Sequence, residues 1–320
     1  MTITQHEDAI FSAYINCNSA GAELIHAEAD VTLADILEPT YVPQIVYSFF
    51  TMDNVLNYDA SKPLLSIKVT ELIDGLFIGC SINHAVCDAT SFWHFMNSWS
   101  EICRGGGGLT SQISQPPIFK RRFLDGTEFM IRFPFPVHEL NTKPYYPPPL
   151  EEIIHFSPET IAKLKAKAIS MSPEINAHKI SSLQAVLAHI WIAVTRARRL
   201  DPNEETSVQI AIGNRPRMNP PLPEFYFGSS LTTGTATAKA GQLVDKGLGW
   251  GASLLNQVIA SYNVQGIQRY RETWFKKPDL PSAHDLISTT NLRVGSSPRF
   301  NVYVNDFGWG RPLVMRSGRM

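Results

Sequence analysis

The sequence predicts an α/β protein with two domains, and three observations lead to this prediction. The chain has 320 residues, 44% of them apolar, which is enough for a large core and is typical of two domains. Strand-like segments alternate with amphipathic helical segments along the chain. A proline-rich stretch between residues 105 and 149 separates the two sets of segments and argues against regular structure there.

The first domain is predicted to contain a β-hairpin. Residues 64–72 alternate apolar with polar or charged side chains, as a half-buried strand does. Asp74-Gly75 is a hairpin signal, and residues 76–86 supply the returning strand. This strand places His84 where the chain leaves a rigid element, with the edge of its ring accessible. A histidine held in this way is suited to act as a general base.

A helix is predicted directly after this strand. Thr90 or Ser91 is placed to cap its N-terminus. Asp88 lies just ahead of the helix start, where the helix dipole favours a negative charge. His94 lies opposite the apolar stripe and is predicted to be solvated. The apolar residues that recur at helical spacing are Phe92, Phe95, Met96, Trp99 and Ile102.

The second domain is predicted to begin near residue 151. The organisation expected is a partial N-terminal domain at 1–125, a crossover loop at 126–150 and a C-terminal domain at 151–320. Ser157-Pro158 opens a helix over 159–168, with proline at the favoured first position. Residues 183–194 are predicted to form a buried helix, which is too short to span a bilayer.

His84 and Asp88 form a His-x-x-x-Asp motif that allows two interpretations. In the first, His84 is a general base at the end of a strand. In the second, His84 is a core histidine bonded to backbone groups, and Asp88 only caps a helix. The chain has nine histidines, so one chance match is expected, and the pair alone favours the second interpretation.

A second motif, DFGWG at 306–310, raises the weight of the first interpretation, in which His84 is a general base. It follows a strand-like run at 299–304, and two glycines around a tryptophan suit a tight turn with close backbone approach. Asp-Phe-Gly also occurs in protein kinases. A kinase requires a glycine-rich nucleotide loop, a strand lysine and a His-Arg-Asp catalytic loop ahead of it, and the sequence contains none of these. The kinase interpretation is therefore excluded.

The two motifs together resemble those of the BAHD acyltransferases, a plant family of CoA-dependent acyltransferases. HAVCD at 84–88 precedes DFGWG at 306–310 in the family's order. Residues 180–191 are similar to the helix at the start of the family's second domain, and residues 214–228 are similar to its arginine-proline segment. The resemblance implies a two-domain, chloramphenicol-acetyltransferase-like α/β fold, with mixed sheets flanked by helices and an active-site channel between the domains.

The resemblance also implies roles for particular residues. His84 is expected to be the general base, which takes a proton from an acceptor hydroxyl or amine as that group attacks an acyl-CoA thioester. Asp88 is expected to turn away from the substrate and pair with Arg215. The alternative is that Arg215 is a surface residue of a proline-rich loop. Asp306 completes the predicted catalytic set in a structural role that shapes the CoA side of the site.

A CoA-binding set is implied as well, and it consists of Ser181, Ser182, Gly308, Trp309 and Gly310. The two serines precede a helix whose N-terminus is suited to pantetheine or phosphate groups. Ordinary helix capping explains these serines equally well. Acyl-CoA is expected as a co-substrate, with no permanently bound cofactor.

The sequence departs from the family pattern at two positions and in length. Ala89 stands where the family usually has glycine, which is expected to crowd the turn mildly. Ser297 stands where many members have a tryptophan near the acyl carbonyl, so oxyanion stabilisation or acyl choice is expected to differ. The resemblance begins only after a considerable N-terminal portion of the family's members, and Met320 follows the DFGWG motif closely, so a fold truncated at both ends is expected.

Composition argues against several classes of function. A net charge of −1 gives no general attraction to nucleic acid or to an anionic membrane. The four cysteines lack a secreted disulfide pattern, so a reducing compartment is expected. Cys80, His84, Cys87 and His94 do not have the spacing of a common zinc site, so no metal is expected. The first residues carry no secretory signal, and a cytoplasmic monomer is expected.

Three functions remain open. The favoured one is transfer of an acyl group from acyl-CoA to a hydroxyl or amine of a small specialised metabolite, an alcohol, phenol or amine. The second is non-catalytic binding of a small molecule by a degenerate fragment, and the third is lyase-type chemistry at His84. Cys87 is disfavoured as a nucleophile, because the surroundings typical of serine hydrolases and cysteine proteases are absent. Substrate identity does not follow from fold.

Overall fold

The structure is a computed structural model that describes residues 2–6, 11–52, 61–106, 112–121, 132–133, 151–172, 179–278, 289–295 and 297–316. The chain divides into two units. Unit 1 comprises Met1–Ile153, Pro223–Ser229 and Phe300–Met320, and unit 2 comprises Ile154–Leu222 and Ser230–Arg299. The segment with the DFGWG motif thus groups with unit 1, whereas the sequence prediction assigned it to the second domain. Most of the predicted crossover loop at 126–150 lies outside the described residues.

The described residues of unit 1 form two three-stranded sheets. The first has the order β1-β2-β6 and is antiparallel throughout. The second has the order β3-β4-β5, in which β3 runs parallel to β4, and β4 and β5 form the predicted antiparallel hairpin. The strands are β1 (Thr2–Gln5), β2 (Phe11–Tyr14), β3 (Glu23–Glu28), β4 (Leu65–Glu71), β5 (Leu76–Ile82) and β6 (Arg132–Phe133).

The described helices of unit 1 are α1 (Leu33–Leu37), α2 (Ala89–Arg104) and two 3-10 helices, at Gln44–Phe49 and at Val302–Val304. The 3-10 helix at Gln44–Phe49 packs closely on β5. A Cβ atom at Gly79 would lie 2.0 Å from the carbonyl oxygen of Phe49, so a residue with a side chain does not fit there without a backbone shift. This close packing holds β5 in place shortly before His84.

The described part of unit 2 contains a mixed sheet, four α-helices and a 3-10 helix at Arg215–Arg217. The sheet has the order β8-β7-β9, in which β7 is antiparallel to β8 and parallel to β9. The helix α5 is kinked at Gly247, where φ is 74°, a conformation that glycine adopts readily. The elements are α3 (Pro158–Ser170), α4 (Ser182–Ala197), β7 (Glu205–Gly213), β8 (Leu231–Lys239), α5 (Ala240–Ser261), α6 (Val264–Lys276) and β9 (Asn291–Val294).

The core of unit 2 lies between its helices and its sheet. Trp191 of α4, with Leu243 and Leu255 of α5, is fully buried in a single apolar cluster. The indole N–H of Trp191 donates to Thr206 Oγ1 at 3.0 Å, so the one polar atom of this large side chain is satisfied inside the core. The prediction of a buried helix over 183–194 is confirmed, and α4 extends it at both ends.

One predicted element differs from the structure. The strand predicted at 299–304 is wrong, because this run holds a 3-10 helix at Val302–Val304, and β9 lies earlier in the chain. An apolar pattern alone does not supply the partner strand that strand formation requires. Among the described residues, none of the helices is both long and apolar enough to cross a bilayer.

Candidate active site

His84 occupies a tight turn between β5 and α2. The amide of Asn83 donates to the Leu64 carbonyl at 2.8 Å, which ties the start of the turn to the hairpin. The amide of Val86 donates to the Asn83 carbonyl at 3.0 Å, and the amide of Ala85 donates to Asn83 Oδ1 at 2.9 Å. Asn83 therefore closes the turn through both its backbone carbonyl and its side-chain oxygen, and the side-chain bond is that of an Asx-turn. His84 is exposed, so the predicted accessible ring is confirmed and the core-histidine interpretation is wrong.

Asp88 is the N-cap residue of α2 and is only 4% exposed. Its Oδ1 accepts a hydrogen bond from the amide of Ser91 at 3.0 Å. The prediction that Thr90 or Ser91 caps this helix is wrong. The helix α2 begins at Ala89, and the carboxylate of the preceding residue, Asp88, accepts from the amide of the third helical residue. Since Ala89 is the first helical residue, alanine suits this position and the expected crowding does not arise.

Ser91 connects the start of α2 to a segment that is distant in sequence. Its side chain is 1% exposed. The hydroxyl donates toward the carbonyl oxygens of Gly228 at 3.0 Å and of Tyr226 at 3.4 Å. It also accepts from the Gly228 amide at 3.0 Å. The YFG segment, which the sequence marked only by its resemblance, therefore lies against the helix that follows the His84 turn.

His94 is less solvated than predicted. Its ring is half-buried, and its Nε2 lies 2.8 Å from the carbonyl oxygen of Gln115. The ring also packs against Phe225 at 5.4 Å between centroids. Two segments outside the helix, 115–118 and 225–227, cover this face, since Ile118 forms a β-bridge with Tyr226. The helical period alone did not reveal that loops cover the polar face.

Asp306 closes the DFGWG loop on itself. Its Oδ1 accepts from the amides of Gly308 at 2.8 Å and Gly310 at 3.0 Å. Both glycines have positive φ, 106° and 102°, which confirms the predicted tight turn. The two backbone hydrogen bonds hold the pKa of the Asp306 carboxyl below its ordinary value. Desolvation opposes this shift, and the charges of Arg104 and Arg311 add to it.

The DFGWG loop packs on the C-terminal half of α2. Phe307 makes an edge contact with Trp99 of α2 at 4.7 Å between ring centroids. The side-chain amide of Asn305, the residue before the motif, donates to the Asn97 side-chain oxygen. Trp309 stacks beyond Phe307 at 6.1 Å and is 71% exposed. One ring of the motif therefore anchors the loop, and the other remains on the surface.

The helix α2 thus connects the two motifs within unit 1. Asp88 caps its N-terminus, and Asn97 and Trp99 receive the DFGWG loop near its other end. At 1.5 Å per residue, the helix covers about 14 Å between Asp88 and Asn97. The carboxylate of Asp306 is engaged by its own loop, which supports a structural role for this residue.

Arg215 is 7% exposed and lies on the 3-10 turn Arg215–Arg217. The alternative that it is a surface arginine is therefore wrong. The turn is fixed by Arg217, whose guanidinium donates to the carbonyls of Ile259 at 2.8 Å and Tyr262 at 2.9 Å. These carbonyls lie at the C-terminal end of α5, where a cation is favourable. The pairing of Arg215 with Asp88 stays a prediction.

The two serines assigned to CoA differ in their surroundings. Ser181 caps α4 through a capping box: its hydroxyl accepts from the Gln184 amide at 3.2 Å, and Gln184 Oε1 accepts from the Ser181 amide at 2.7 Å. Ser182 is the first residue of the helix and is exposed. The capping interpretation of Ser181 is confirmed, and binding of CoA by either serine stays a prediction. Ser297 Oγ accepts from the Arg299 amide at 3.2 Å.

The cysteines near His84 are poor candidates for a nucleophile. Cys87 is buried. Burial raises the pKa of the Cys80 thiol to about 12, and the charge interaction with Cys87 adds to this rise. A thiol with such a pKa is protonated at neutral pH and does not attack a thioester. Among the described residues, no group of three or more His, Cys, Asp or Glu side chains is arranged to hold a metal ion.

Sequence reasoning missed two residues that build the site. Asn83 closes the His84 turn, and its position before the histidine in Asn-His-Ala-Val was a turn signal that could have been recognised. Ser91 was considered only as a cap, and no local pattern indicates a hydrogen bond to a residue 137 positions away.

Comparison with known proteins identifies the family. The model of the Transferase family matches residues 8–320. An uncharacterised acetyltransferase of Arabidopsis thaliana is 38% identical over 325 residues, covering 99% of this chain and 72% of that relative. The BAHD acyltransferase DCR of Arabidopsis thaliana is 36% identical over 314 residues, covering 94% of this chain and 63% of that relative. This chain belongs to the BAHD acyltransferases. The resemblance carried by the two motifs is confirmed, and the chain is an acyltransferase.

A solved structure supports the fold expected of a BAHD acyltransferase. TRI101 of F. graminearum, complexed with coenzyme A and deoxynivalenol, aligns with a TM-score of 0.61 at 16% identity, covering 93% of this chain and 72% of that chain. Mixed sheets flanked by helices are present in the described residues. The predicted chloramphenicol-acetyltransferase-like α/β fold is therefore confirmed.

Proposed function

We propose that this BAHD acyltransferase transfers an acyl group from acyl-CoA to a hydroxyl or amine of a small metabolite, with His84 as the general base. In the reaction, the acceptor oxygen or nitrogen forms a bond to the thioester carbonyl carbon, and its proton passes to an imidazole nitrogen of His84. The carbon–sulfur bond then breaks, and the departing CoA thiolate takes that proton. No covalent acyl-enzyme intermediate is needed.

The observation that carries this proposal is the setting of His84. The ring is exposed, while the backbone on both sides of it is fixed by Asn83 and by the buried cap residue Asp88. A general base needs this combination, since proton transfer requires a reachable ring in a defined position. The uncharged imidazole supplies the lone pair that accepts the proton.

Acyl-CoA as the donor follows from the family. TRI101, which shares the fold, is complexed with coenzyme A, and the relatives named above are an acetyltransferase and a BAHD acyltransferase. The competing nucleophile, the Cys87 thiol, is only 3% exposed, and burial raises the pKa of the nearby Cys80 thiol to about 12, so Cys80 is protonated at neutral pH. Direct transfer between donor and acceptor with a histidine base therefore fits the residues present better than a thiol mechanism.

The proposal is tested by measuring release of free CoA with a panel of acyl-CoA donors and alcohol, phenol and amine acceptors. We expect His84→Ala to lower kcat by about 10²–10⁴-fold, which is the usual contribution of a general base. His84→Gln keeps a polar side chain without a basic nitrogen and should lose as much. His189→Ala is the matched control, because it removes an exposed imidazole from α4.

Turnover that survives His84→Ala at the wild-type rate rules out the proposed base. Saturable binding of small molecules by the wild-type protein, with no CoA release for any donor, would instead support the non-catalytic alternative.

A further inference from the structure

We propose that Ser91 is a positioning residue that fixes the buried end of the His84 turn to the YFG segment at 226–228. The consequence for catalysis rests on the function proposed for His84. The inference itself concerns the position of the His84 ring, which is measurable without turnover.

The His84 turn is held at both of its ends. At its start, the amide of Asn83 is bonded to the Leu64 carbonyl of the hairpin at 2.8 Å. At its end, the chain enters the buried pair Cys87 and Asp88, and the Asp88 carboxylate accepts from the amide of Ser91 at 3.0 Å. The first anchor belongs to the sheet. The second anchor includes the bond to Ser91, so the position of Ser91 contributes to it.

Ser91 is itself tied to a separate part of unit 1. Its hydroxyl accepts from the Gly228 amide at 3.0 Å and donates toward the Gly228 carbonyl, also at 3.0 Å. One hydroxyl therefore bonds both polar groups of one backbone residue, in a site that is 1% exposed and gives them no access to water. The backbone of Ser91 holds Asp88, and its side chain holds Gly228.

Gly228 is closely packed in this arrangement, with no room for a side chain. A Cβ atom there would lie 2.5 Å from the hydroxyl oxygen of Tyr226, and Tyr226 is buried. The segment is also paired with Ile118, whose amide donates to the Phe225 carbonyl and whose carbonyl accepts from the Phe227 amide. The YFG segment is therefore a fixed support, and the Ser91 hydroxyl transmits its position to Asp88 and to the end of the His84 turn.

The same helix provides a matched control. Ser100 also lies on α2 and is 2% exposed, so its substitution removes an equally buried hydroxyl. Its hydroxyl donates to the Asn97 carbonyl at 2.9 Å, within the helix itself. Ser100→Ala therefore changes α2 without touching the link between Asp88 and Gly228.

The experiment compares Ser91→Ala with Ser100→Ala in the full chain by two readouts. The first is the imidazole C–H resonance of His84 in a histidine-labelled protein, assigned by its loss in His84→Gln. The second is the separate measurement of kcat and of KM for acyl-CoA. We expect Ser91→Ala to shift the His84 resonance and to lower kcat by about 10- to 100-fold, as misplacement of a catalytic group does, with little change in KM.

Ser100→Ala is expected to leave both readouts at their wild-type values. An unshifted His84 resonance in folded Ser91→Ala overturns the inference, and so does an equal shift in Ser100→Ala. If the wild-type protein shows no turnover with any donor, the proposed function fails, and the resonance alone decides whether Ser91 positions the turn.

Discussion

The His84 turn and the DFGWG loop both lie against α2, and the aspartate of each accepts from nearby backbone amides, but the two segments leave different side chains exposed. In the turn, Asp88 is buried as a helix cap and the histidine is left exposed. In the loop, Asp306 is bonded to the amides of its own loop, and an exposed tryptophan is left on the surface. The two motifs therefore differ in their contacts. The first presents an exposed histidine, as the proposed general base requires, whereas the carboxylate of the second is bonded to its own backbone.

The largest effect that would sharpen this comparison is expected at Asp88. Asparagine caps a helix about as well as aspartate, so Asp88→Asn removes the charge and keeps the cap. If Asp88 pairs with Arg215 as the resemblance predicts, the variant leaves an unpaired buried guanidinium and lowers the free energy of unfolding by about 3–5 kcal/mol. Urea unfolding measures this change.

A neutral cap on another helix is the control for that experiment. Ser157 caps α3 through the Thr160 amide, and Ser157→Ala should cost about 1 kcal/mol. An Asp88→Asn variant within 1 kcal/mol of wild type, on the order of an ordinary cap, would mean that Asp88 acts only as a cap and that the predicted pairing is absent.

An intermediate effect is expected within the DFGWG loop itself. Phe307 is packed on Trp99, whereas Trp309 is 71% exposed. Phe307→Ala should lower the free energy of unfolding by about 2 kcal/mol, less than for a fully buried phenylalanine. Trp309→Ala should cost less than about 0.5 kcal/mol, as surface substitutions usually do. Equal costs for the two rings would show that the loop is not anchored through Phe307.

The smallest effect is a pH dependence at Asp306. Folding lowers the pKa of its carboxyl from the ordinary value of 3.8, so the ionised group stabilises the fold above that pH. The contribution is lost as the pH falls through the lower folded-state pKa. Wild type should therefore be more stable than Asp306→Asn at pH 7, and the difference should disappear on acidification. Denaturant midpoints at several pH values measure this, and a difference that persists in acid contradicts it.

Local signals predicted the elements around the site well. The alternation at 64–72 and the Asp74-Gly75 turn gave the β4–β5 hairpin, because a hairpin is specified by neighbouring residues. Ser157-Pro158 gave the start of α3 for the same reason. The position of His84 at the end of a strand followed directly from the hairpin.

The errors arose where a contact joins residues far apart in sequence. The run at 299–304 has strand-like alternation, yet strand formation depends on a partner strand that local sequence does not supply. His94 was assigned to solvent because the helical pattern does not show that Gln115 and Phe225 contact it from distant loops. Ser91 was considered as a cap, whereas the structure uses its side chain to hold Gly228. Family resemblance marked the YFG segment without revealing this contact.

The most direct test of the contrast between the two motifs is CoA release by His84→Ala and Asp306→Asn, compared as folded proteins with the same acyl-CoA donor and acceptor at pH 7. We expect His84→Ala to lose about 10²–10⁴-fold in turnover, while Asp306→Asn stays close to wild type. Wild-type turnover in His84→Ala, or an equal loss in both variants, would contradict the account.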